Sequence, residues 1–190
     1  MGEWQLLMVR HGESTANRDR LVLGRSLEVP LTEHGRQQAT RAAEQVAGLV
    51  RGPVALISSD ATRARQTAEV IAERLEVPVQ LDAALREQYL GDLEGRPVGQ
   101  LRPLPVPEGL HITEVSWGGG ESIAEVHLRM ERFVRGLAAR DDLLGSLVLV
   151  SHGDALCVLQ AVLDGRTHRE VNWPADALGL AEVRELVLDL

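Results

Sequence analysis

Two histidines of this chain share a local pattern that could do chemistry on an anionic group. His11 follows a short apolar run and Arg10 and precedes a glycine, and His152 does the same after an apolar run and Ser151. If both runs are parallel strands, the two imidazoles lie at the same edge of one sheet. An isolated His-Gly pair is more often an ordinary polar strand end, because short motifs match by chance. Two such ends, one of them beside an arginine, favour a functional site.

A third apolar run brings another basic side chain toward the same place. Val54–Ile57 is followed by Ser58-Ser59-Asp60 and then by a helical pattern whose first turn carries Arg63. A short oxygen side chain of that tripeptide is expected to cap the helix. The guanidinium and the free backbone N–H groups of the helix start could face the same point, which suits a small anion. Arg63 taken alone could equally be a solvated surface charge.

The elements that would position these side chains alternate between strand and helix. Short apolar runs predict strands, and apolar residues at helical spacing predict amphipathic helices. The predicted strands are Trp4–Val9, Val54–Ile57, Pro78–Leu81 and Leu147–Val150, and the predicted helices lie at about 32–51, 64–75, 123–137 and 154–163. This alternation predicts an α/β fold with three layers, α/β/α, around a mainly parallel central sheet, with ligands beyond the carboxyl ends of the strands.

Two segments do not fit this alternation. The stretch 96–120 contains several prolines and a triple glycine, shows no clean period, and is interpreted as an irregular flap on the substrate side. The tail 172–190 is compatible with strand or helix, and its pattern does not choose between them.

We expect the whole chain, 1–190, to form one domain, because its 190 residues, 44% of them hydrophobic, suffice for a single core.

Composition excludes several classes of function. A formal net charge of -8 disfavours nucleic acid and anionic membranes as partners, because both need a basic surface. All 20 basic residues are arginines, so a phosphate-binding loop of the GK[ST] type, a Schiff-base enzyme and a pyridoxal-phosphate enzyme lack their lysine. The first residues fit neither a signal peptide nor a membrane span, which predicts a cytoplasmic protein. The one cysteine, Cys157, has apolar neighbours and is interpreted as a buried small hydrophobe.

Six blocks of the sequence resemble the motifs of the histidine phosphatase superfamily, the group with the phosphoglycerate-mutase-like fold, and they occur in that family's order. The first block, Leu7–Asn17, contains Arg-His-Gly-Glu and is specific on its own. The others are Pro30–Gly35 with Gln38-Ala39, Ser58–Ala68, Leu85–Gly95, Gly119–Ser122 and Ser151–Gly153. Together they span most of the chain, so a chance resemblance is negligible.

The resemblance implies a role for the residues that match the motifs. His11 would be the nucleophile that becomes phosphohistidine. The side chains around the phosphoryl group would be Arg10, Arg63 and His152, with further hydrogen bonds from Ser14 and Asn17. A phosphoryl transition state spreads negative charge over its oxygens, and planar guanidinium groups with a cationic imidazole match that charge without a metal.

Glu87 would be the acid and base of this mechanism. It would protonate the departing alkoxide and then take a proton from the water that attacks phosphohistidine. Gly91 and the Glu94-Gly95 pair follow as in the family, which argues against a surface glutamate in a loop. Leu90 and Leu93 stand where the family commonly has aromatic residues, so we expect the substrate-facing wall to differ.

The remaining polar side chains of interest are assigned structural roles. Asp154 would repel a phosphate, so it is interpreted as a helix cap that points away from the pocket. Glu121 and Ser122 are expected to start a helix after the glycine turn. The other four histidines have no ligand-like spacing, so we expect no metal site and no cofactor; they are His34, His111, His127 and His168.

The residues favour one activity within the resembled family. Mutases resemble one another in a longer basic insertion with paired arginines, whereas this chain has only Arg96 and Arg102 in a short proline-rich stretch. A metal-independent phosphomonoesterase acting on a small phosphorylated metabolite is therefore the expected function.

Several alternatives stay open. One is a phosphoglycerate mutase, another is a protein phosphohistidine phosphatase, and a third is a non-catalytic phosphate- or protein-binding member, although the presence of both His11 and Glu87 argues against the third. Candidate substrates are sugar phosphates, phosphoglycerate derivatives and alpha-ribazole phosphate. The oligomeric state is not indicated by the sequence.

Overall fold

The computed structural model describes residues 3–102, 105–140 and 145–189, and within these ranges every predicted strand and helix is present. The strands are β1 (Glu3–Arg10), β2 (Val54–Ser58), β3 (Val79–Leu81), β4 (Ser146–Ser151) and β5 (Val183–Asp189). The helices are α1 (Thr15–Arg18), α2 (Glu33–Leu49), α3 (Thr62–Leu75), α4 (Ile123–Ala138), α5 (Gly153–Leu163) and α6 (Trp173–Asp176).

The strands form one sheet in the order β3-β2-β4-β1-β5. The first four run parallel, and β5 runs antiparallel to β1 at the sheet edge. The predicted α/β class with a mainly parallel sheet is therefore confirmed. The tail, whose pattern fitted strand or helix, forms the short α6 and the edge strand β5, because β5 finds its partner in the distant β1.

Helices cover both faces of the sheet and complete three layers. Alternate residues of β1 point to opposite sides, so Leu7 and Val9 pack with α2 and α3, whereas Leu6 and Met8 pack with α4 and α5. All four side chains are buried. A strand that is apolar on both faces can satisfy this arrangement, which is why the nearly unbroken apolar runs of the sequence became central strands.

The helix starts show where the local capping rules held and where they did not. The Thr32 hydroxyl accepts a hydrogen bond from the Gly35 N–H at 2.9 Å, and Ser122 caps α4 in a reciprocal pair with Glu125. The expected cap of α3 by residues 58–60 was wrong. Its N-cap is Ala61, which has no side-chain cap. The Ser59 and Asp60 side chains bind His152 and Arg86, and the Ser58 hydroxyl donates to the neighbouring Ser59 carbonyl.

The segment 96–120 is irregular, as predicted, apart from single 3-10 turns at Val98–Gln100 and Ile112–Glu114. Pro103 and Leu104 lie outside the described residues. The start of the segment is tied to the loop after α1, because the Val22 N–H donates to the Arg96 carbonyl at 2.9 Å. Among the described helices, none combines the length and apolar character that crossing a membrane requires.

Candidate active site

The parallel pairing of β1 and β4 brings the two histidines together. Arg10 lies opposite Ser151 in the strand register, so His11 and His152 both follow the ends of adjacent strands. Their ring centroids are 5.1 Å apart with the rings edge to face. Two imidazoles that stand 141 positions apart in sequence thus share one point at the carboxyl edge of the sheet, where open α/β sheets bind ligands.

His11 is held as a neutral imidazole with one nitrogen left for chemistry. Its Nδ1 lies 2.7 Å from the Gly12 carbonyl oxygen, which can only accept, so Nδ1 carries the proton and donates. Burial, reinforced by the charge of Arg63, lowers the pKa of His11 from 6.5 to about 3. The unprotonated Nε2 therefore keeps its lone pair at neutral pH, as a nucleophile must.

His152 is fully buried beside His11, and its Nε2 lies 2.9 Å from the Ser59 hydroxyl. Burial and then the charge of Arg63 hold the pKa of His152 well below its usual 6.5. The cationic imidazole expected from the sequence is therefore not the state that this environment favours. A phosphoryl dianion beside the ring would act in the opposite direction, because an adjacent negative charge stabilises imidazolium.

Arg63 is buried in the first turn of α3 and points back toward the loop at 24–26. Its terminal nitrogens donate to the Ser26 carbonyl at 2.6 Å and to the Gly24 carbonyl at 2.9 Å. Burial lowers the pKa of Arg63 to about 10, so the guanidinium still carries its charge at neutral pH. The surface-charge interpretation of this arginine is excluded, because the side chain is 0% exposed.

Arg10 is fixed between the start of α5 and the tail. Its Nη1 donates to the Leu178 carbonyl at 2.7 Å, and a Cβ placed on Gly153 would lie 3.2 Å from the Arg10 Cζ, so the glycine lets the guanidinium pack against the backbone. The Nε–H groups of Arg10 and of Arg63 are buried without a partner among the described residues. Such donors are available to an anion held between them.

Ser14 and Asn17 form a reciprocal cap at the start of α1. The Ser14 hydroxyl donates to Asn17 Oδ1 at 2.7 Å and accepts from the Asn17 N–H at 3.2 Å. Ser14 is completely buried, whereas Asn17 lines the adjacent cavity. The hydrogen bonds of Ser14 are thus used to orient Asn17, which leaves Asn17 as the member of the pair that faces the site.

Glu87 is placed by the first turn of α5. Its carboxylate accepts from the Asp154 N–H at 3.2 Å and from the Ala155 N–H at 2.9 Å. These groups are free backbone donors of a helix start, so they fix the carboxylate next to the strand end that carries His152. Glu87 and Arg10 line the same cavity.

A charged cluster that the sequence analysis missed supports the backbone at Glu87. The Glu87 carbonyl accepts from Arg25 at 3.3 Å and from Arg129 at 3.4 Å. Glu121 joins the two arginines, with its carboxylate 2.5 Å from Arg25 and 3.2 Å from Arg129. The sequence pattern assigns Glu121 only to a helix start. No local signal identifies these residues, because each resembles an ordinary surface charge until the chain folds.

A cavity of about 500 Å³ lies next to the histidine pair, and its lining includes Arg10 and Gly153, the sequence neighbours of His11 and His152. Arg10 and Glu87 form part of its wall, and most of the rest is apolar, from the loop at 21–24, the irregular segment and the tail. The lining residues are Arg10, Asn17, Leu21, Val22, Leu23, Gly24, Glu87, Leu90, Val98, Leu101, Gly153, Asp154, Cys157, Trp173, Ala177 and Leu178. The irregular segment therefore reaches the site through Val98 and Leu101, as a substrate-side flap would.

Asp154 also lines this cavity, so its interpretation as a cap pointing away was wrong. The N-cap of α5 is His152, and Asp154 lies in the first helical turn. Burial and then the charge of Glu87 raise the pKa of Asp154 to about 7. Cys157, one turn further along α5, is buried as expected, and burial raises the pKa of its thiol to about 12.

The buried neutral histidines should make the fold less stable in acid. The unfolded chain protonates His11 below about pH 6.5, whereas the folded chain does so only near pH 3. Between these values the unfolded state binds more protons, so lowering the pH should reduce the free energy of unfolding by up to about 1.4 kcal/mol per pH unit from this residue. When urea unfolding is measured from pH 6.5 down to pH 4.5, the free energy of unfolding should fall less in a His11→Gln variant than in the wild type. An equal loss in the variant and the wild type would contradict the assignment, and His34→Gln, on the exposed surface, is the control.

A model of the histidine phosphatase superfamily (branch 1) matches residues 6–187. A curated relative, a probable phosphoglycerate mutase of Yersinia enterocolitica, is 38% identical over 176 residues, covering 87% of this chain and 78% of the relative.

Solved structures of proteins described as phosphatases have the same fold as this chain. The mycobacterial glucosyl-3-phosphoglycerate phosphatase superimposes with a TM-score of 0.80 at 33% identity, covering 98% of this chain and 91% of that one. A putative alpha-ribazole-5'-P phosphatase of Escherichia coli K-12 superimposes with a TM-score of 0.81 at 25% identity, with the same coverage of 98% and 91%.

Proposed function

The chain belongs to the histidine phosphatase superfamily, and we propose that within it this protein is a phosphomonoesterase that works as one domain, without a metal, through a phosphohistidine on His11. The observation that carries the proposal is the convergence at one sheet edge of a neutral His11, a second imidazole, the buried guanidinium of Arg63 and the half-buried one of Arg10. These are the groups that a phosphoryl transfer needs for attack and for charge stabilisation.

The first step forms a bond between His11 Nε2 and phosphorus and breaks the ester P–O bond. Arg10, Arg63 and His152 stabilise the charge on the phosphoryl oxygens, and Asn17 adds a hydrogen bond. The leaving alkoxide takes a proton from Glu87. In the second step water attacks phosphohistidine, Glu87 takes the proton back, and inorganic phosphate leaves with His11 restored.

The cavity wall favours a phosphatase over a mutase. A phosphoglycerate mutase must bind the carboxylate of its substrate as well as the phosphoryl group. Among the described residues that line the cavity, Arg10 is the one basic side chain, and it belongs to the phosphoryl site. An apolar wall without a second cation gives a glycerate carboxylate no partner, and burying an unpaired charge is unfavourable.

The second candidate is a phosphoglycerate mutase, and the observation in its favour is the 38% identity to a probable mutase. The two activities differ in the fate of the phosphoryl group. A mutase must keep phosphohistidine until a glycerate takes the phosphoryl group back, whereas a phosphatase must admit water.

Phosphate release measured in excess chelator tests both parts of the proposal. We expect stoichiometric inorganic phosphate from several monoesters and negligible interconversion of 2- and 3-phosphoglycerate. We also expect the rate to be unchanged by EDTA, because the arginines and imidazoles supply the positive charge that a metal would. Fast isomerisation with little phosphate release would reassign the protein as a mutase, and activity that returns only with added magnesium or zinc would rule out the metal-free mechanism.

A further inference from the structure

Asp154 occupies a position in the site that phosphate chemistry does not explain. Its backbone N–H holds Glu87, and the residue lines the cavity, where its carboxyl group interacts electrostatically with Glu87 and Arg10. In its ionised form, a second carboxyl group in a pocket for a phosphate dianion weakens phosphate binding by like-charge repulsion. A side chain that opposes the main binding interaction needs another role.

The carboxyl group of Asp154 interacts with Arg10 through its charge but accepts no hydrogen bond from the described residues. No hydrogen bond or ion pair joins it to any residue within the described ranges, although the neighbouring acidic side chains Glu87 and Glu121 are both hydrogen-bonded. An acceptor that is half-buried in a cavity and unused by the protein can receive donors from a ligand.

Asp154 stands between the reaction cavity and a second one. A side cavity of about 300 Å³ begins at Asp154 and Trp173, which line both spaces. Its other walls include Gln88, Trp117, Ile112 and Ile123. Two indole rings and two aliphatic side chains can cover the carbon skeleton of a leaving group, while Asp154 and Gln88 offer it hydrogen bonds. No lysine, arginine or histidine lines this side cavity among the described residues.

We propose that Asp154 is a specificity-determining residue that selects phosphomonoesters whose alcohol part presents hydroxyl groups and carries no carboxylate, the chemistry of sugar and polyol phosphates. This inference rests on the proposed phosphatase function and deepens it. The carboxylate of Asp154 accepts a hydrogen bond from a substrate hydroxyl at the mouth of the side cavity, and it repels a substrate that places a negative charge there.

Two substrates that differ at one carbon isolate this effect. Glycerol 3-phosphate and 3-phosphoglycerate share a three-carbon skeleton, but one ends in a hydroxymethyl group and the other in a carboxylate. For the wild-type protein at pH 8, above the Asp154 pKa of about 7, we expect kcat/KM to favour glycerol 3-phosphate by about tenfold or more. Asp154→Asn keeps an acceptor but removes the charge, so it should reduce this ratio at least about fivefold, mainly through faster turnover of 3-phosphoglycerate. Asp154→Ala should also lose rate on glycerol 3-phosphate, because no acceptor remains.

The control and the reference ester separate the possible failures. Asp164→Asn, at the other end of α5 and outside the cavity, should leave the ratio unchanged. An unchanged ratio in Asp154→Asn, or a wild-type preference for 3-phosphoglycerate, would overturn the inference about Asp154. In that case, hydrolysis of 4-nitrophenyl phosphate by the wild type would still support the proposed phosphatase function. Failure of the wild type to release phosphate from 4-nitrophenyl phosphate would overturn the proposed function and this inference with it.

Discussion

Replacing His11 by alanine should abolish phosphate release and phosphoryl labelling together. Removal of a catalytic nucleophile typically lowers the rate by roughly 10⁴-fold or more, because no other group can form the covalent intermediate. The other imidazole of the site, His152, is held to Ser59 rather than to a cavity group, so it is not positioned to replace His11. Phosphate release and acid-labile labelling, measured on the same preparation, check the prediction.

The position of the phosphoryl group on the ring provides a sharper test. His11 Nδ1 donates to the Gly12 carbonyl, which leaves Nε2 as the attacking atom. NMR of the trapped intermediate should therefore show phosphorylation at Nε2. Phosphorylation at Nδ1 would mean that the hydrogen bond to Gly12 does not determine which nitrogen attacks.

His152→Ala should lower the rate but still allow labelling, since that variant retains the nucleophile. Turnover retained in His11→Ala would remove His11 from its role.

Glu87→Gln should lose far more rate on alkyl phosphates than on 4-nitrophenyl phosphate. An alkoxide is a strong base and needs a proton as it leaves, so loss of the general acid should lower the formation rate of phosphohistidine by about 10²-fold or more. A nitrophenolate is a weak base and departs with little help. Glutamine keeps the size of the side chain, and its oxygen can still accept the shorter hydrogen bond, from the Ala155 N–H. Its amide nitrogen then replaces the oxygen that accepts from the Asp154 N–H at 3.2 Å, so this one hydrogen bond is lost and should lower the rates of both ester classes alike.

The second chemical step should slow as well, because Glu87→Gln leaves no base to activate water. With 4-nitrophenyl phosphate the variant should then show a burst of product followed by slow turnover, the kinetic sign of an accumulating covalent intermediate. Single-turnover formation rates for both ester classes, in wild type and variant, provide the measurement. Equal losses for the two classes would mean that Glu87 positions the substrate rather than transferring a proton. Glu73→Gln, on the exposed face of α3, is the matched control.

The catalytic residues could be predicted from the sequence, but the residues that hold them in place could not. His11 and His152 could be placed at one edge because parallel strands end at the same side of a sheet, and the structure puts Arg10 opposite Ser151. The Arg25, Arg129 and Glu121 cluster could not be found, because its members lie up to 104 positions apart. Their ion pairs exist only after α4 has packed against the sheet.

Local pattern determined those features of this protein that depend on neighbouring residues. The order of strands and helices follows from apolar spacing, the caps at Thr32 and Ser122 follow from adjacent oxygen side chains, and the chain's membership of the superfamily follows from short motifs around residues such as His11.

Only the tertiary structure decided the direction and surroundings of the remaining groups. Asp154 faces the cavity because the packing of α5 on the sheet fixes the rotation of its first turn, and one residue more or less would turn the side chain by about 100°. The tail became β5 because β1 offered an unpaired edge, a partner that the local sequence does not contain. These outcomes depend on contacts between distant segments, and the free energy of such contacts is absent from any local window of sequence.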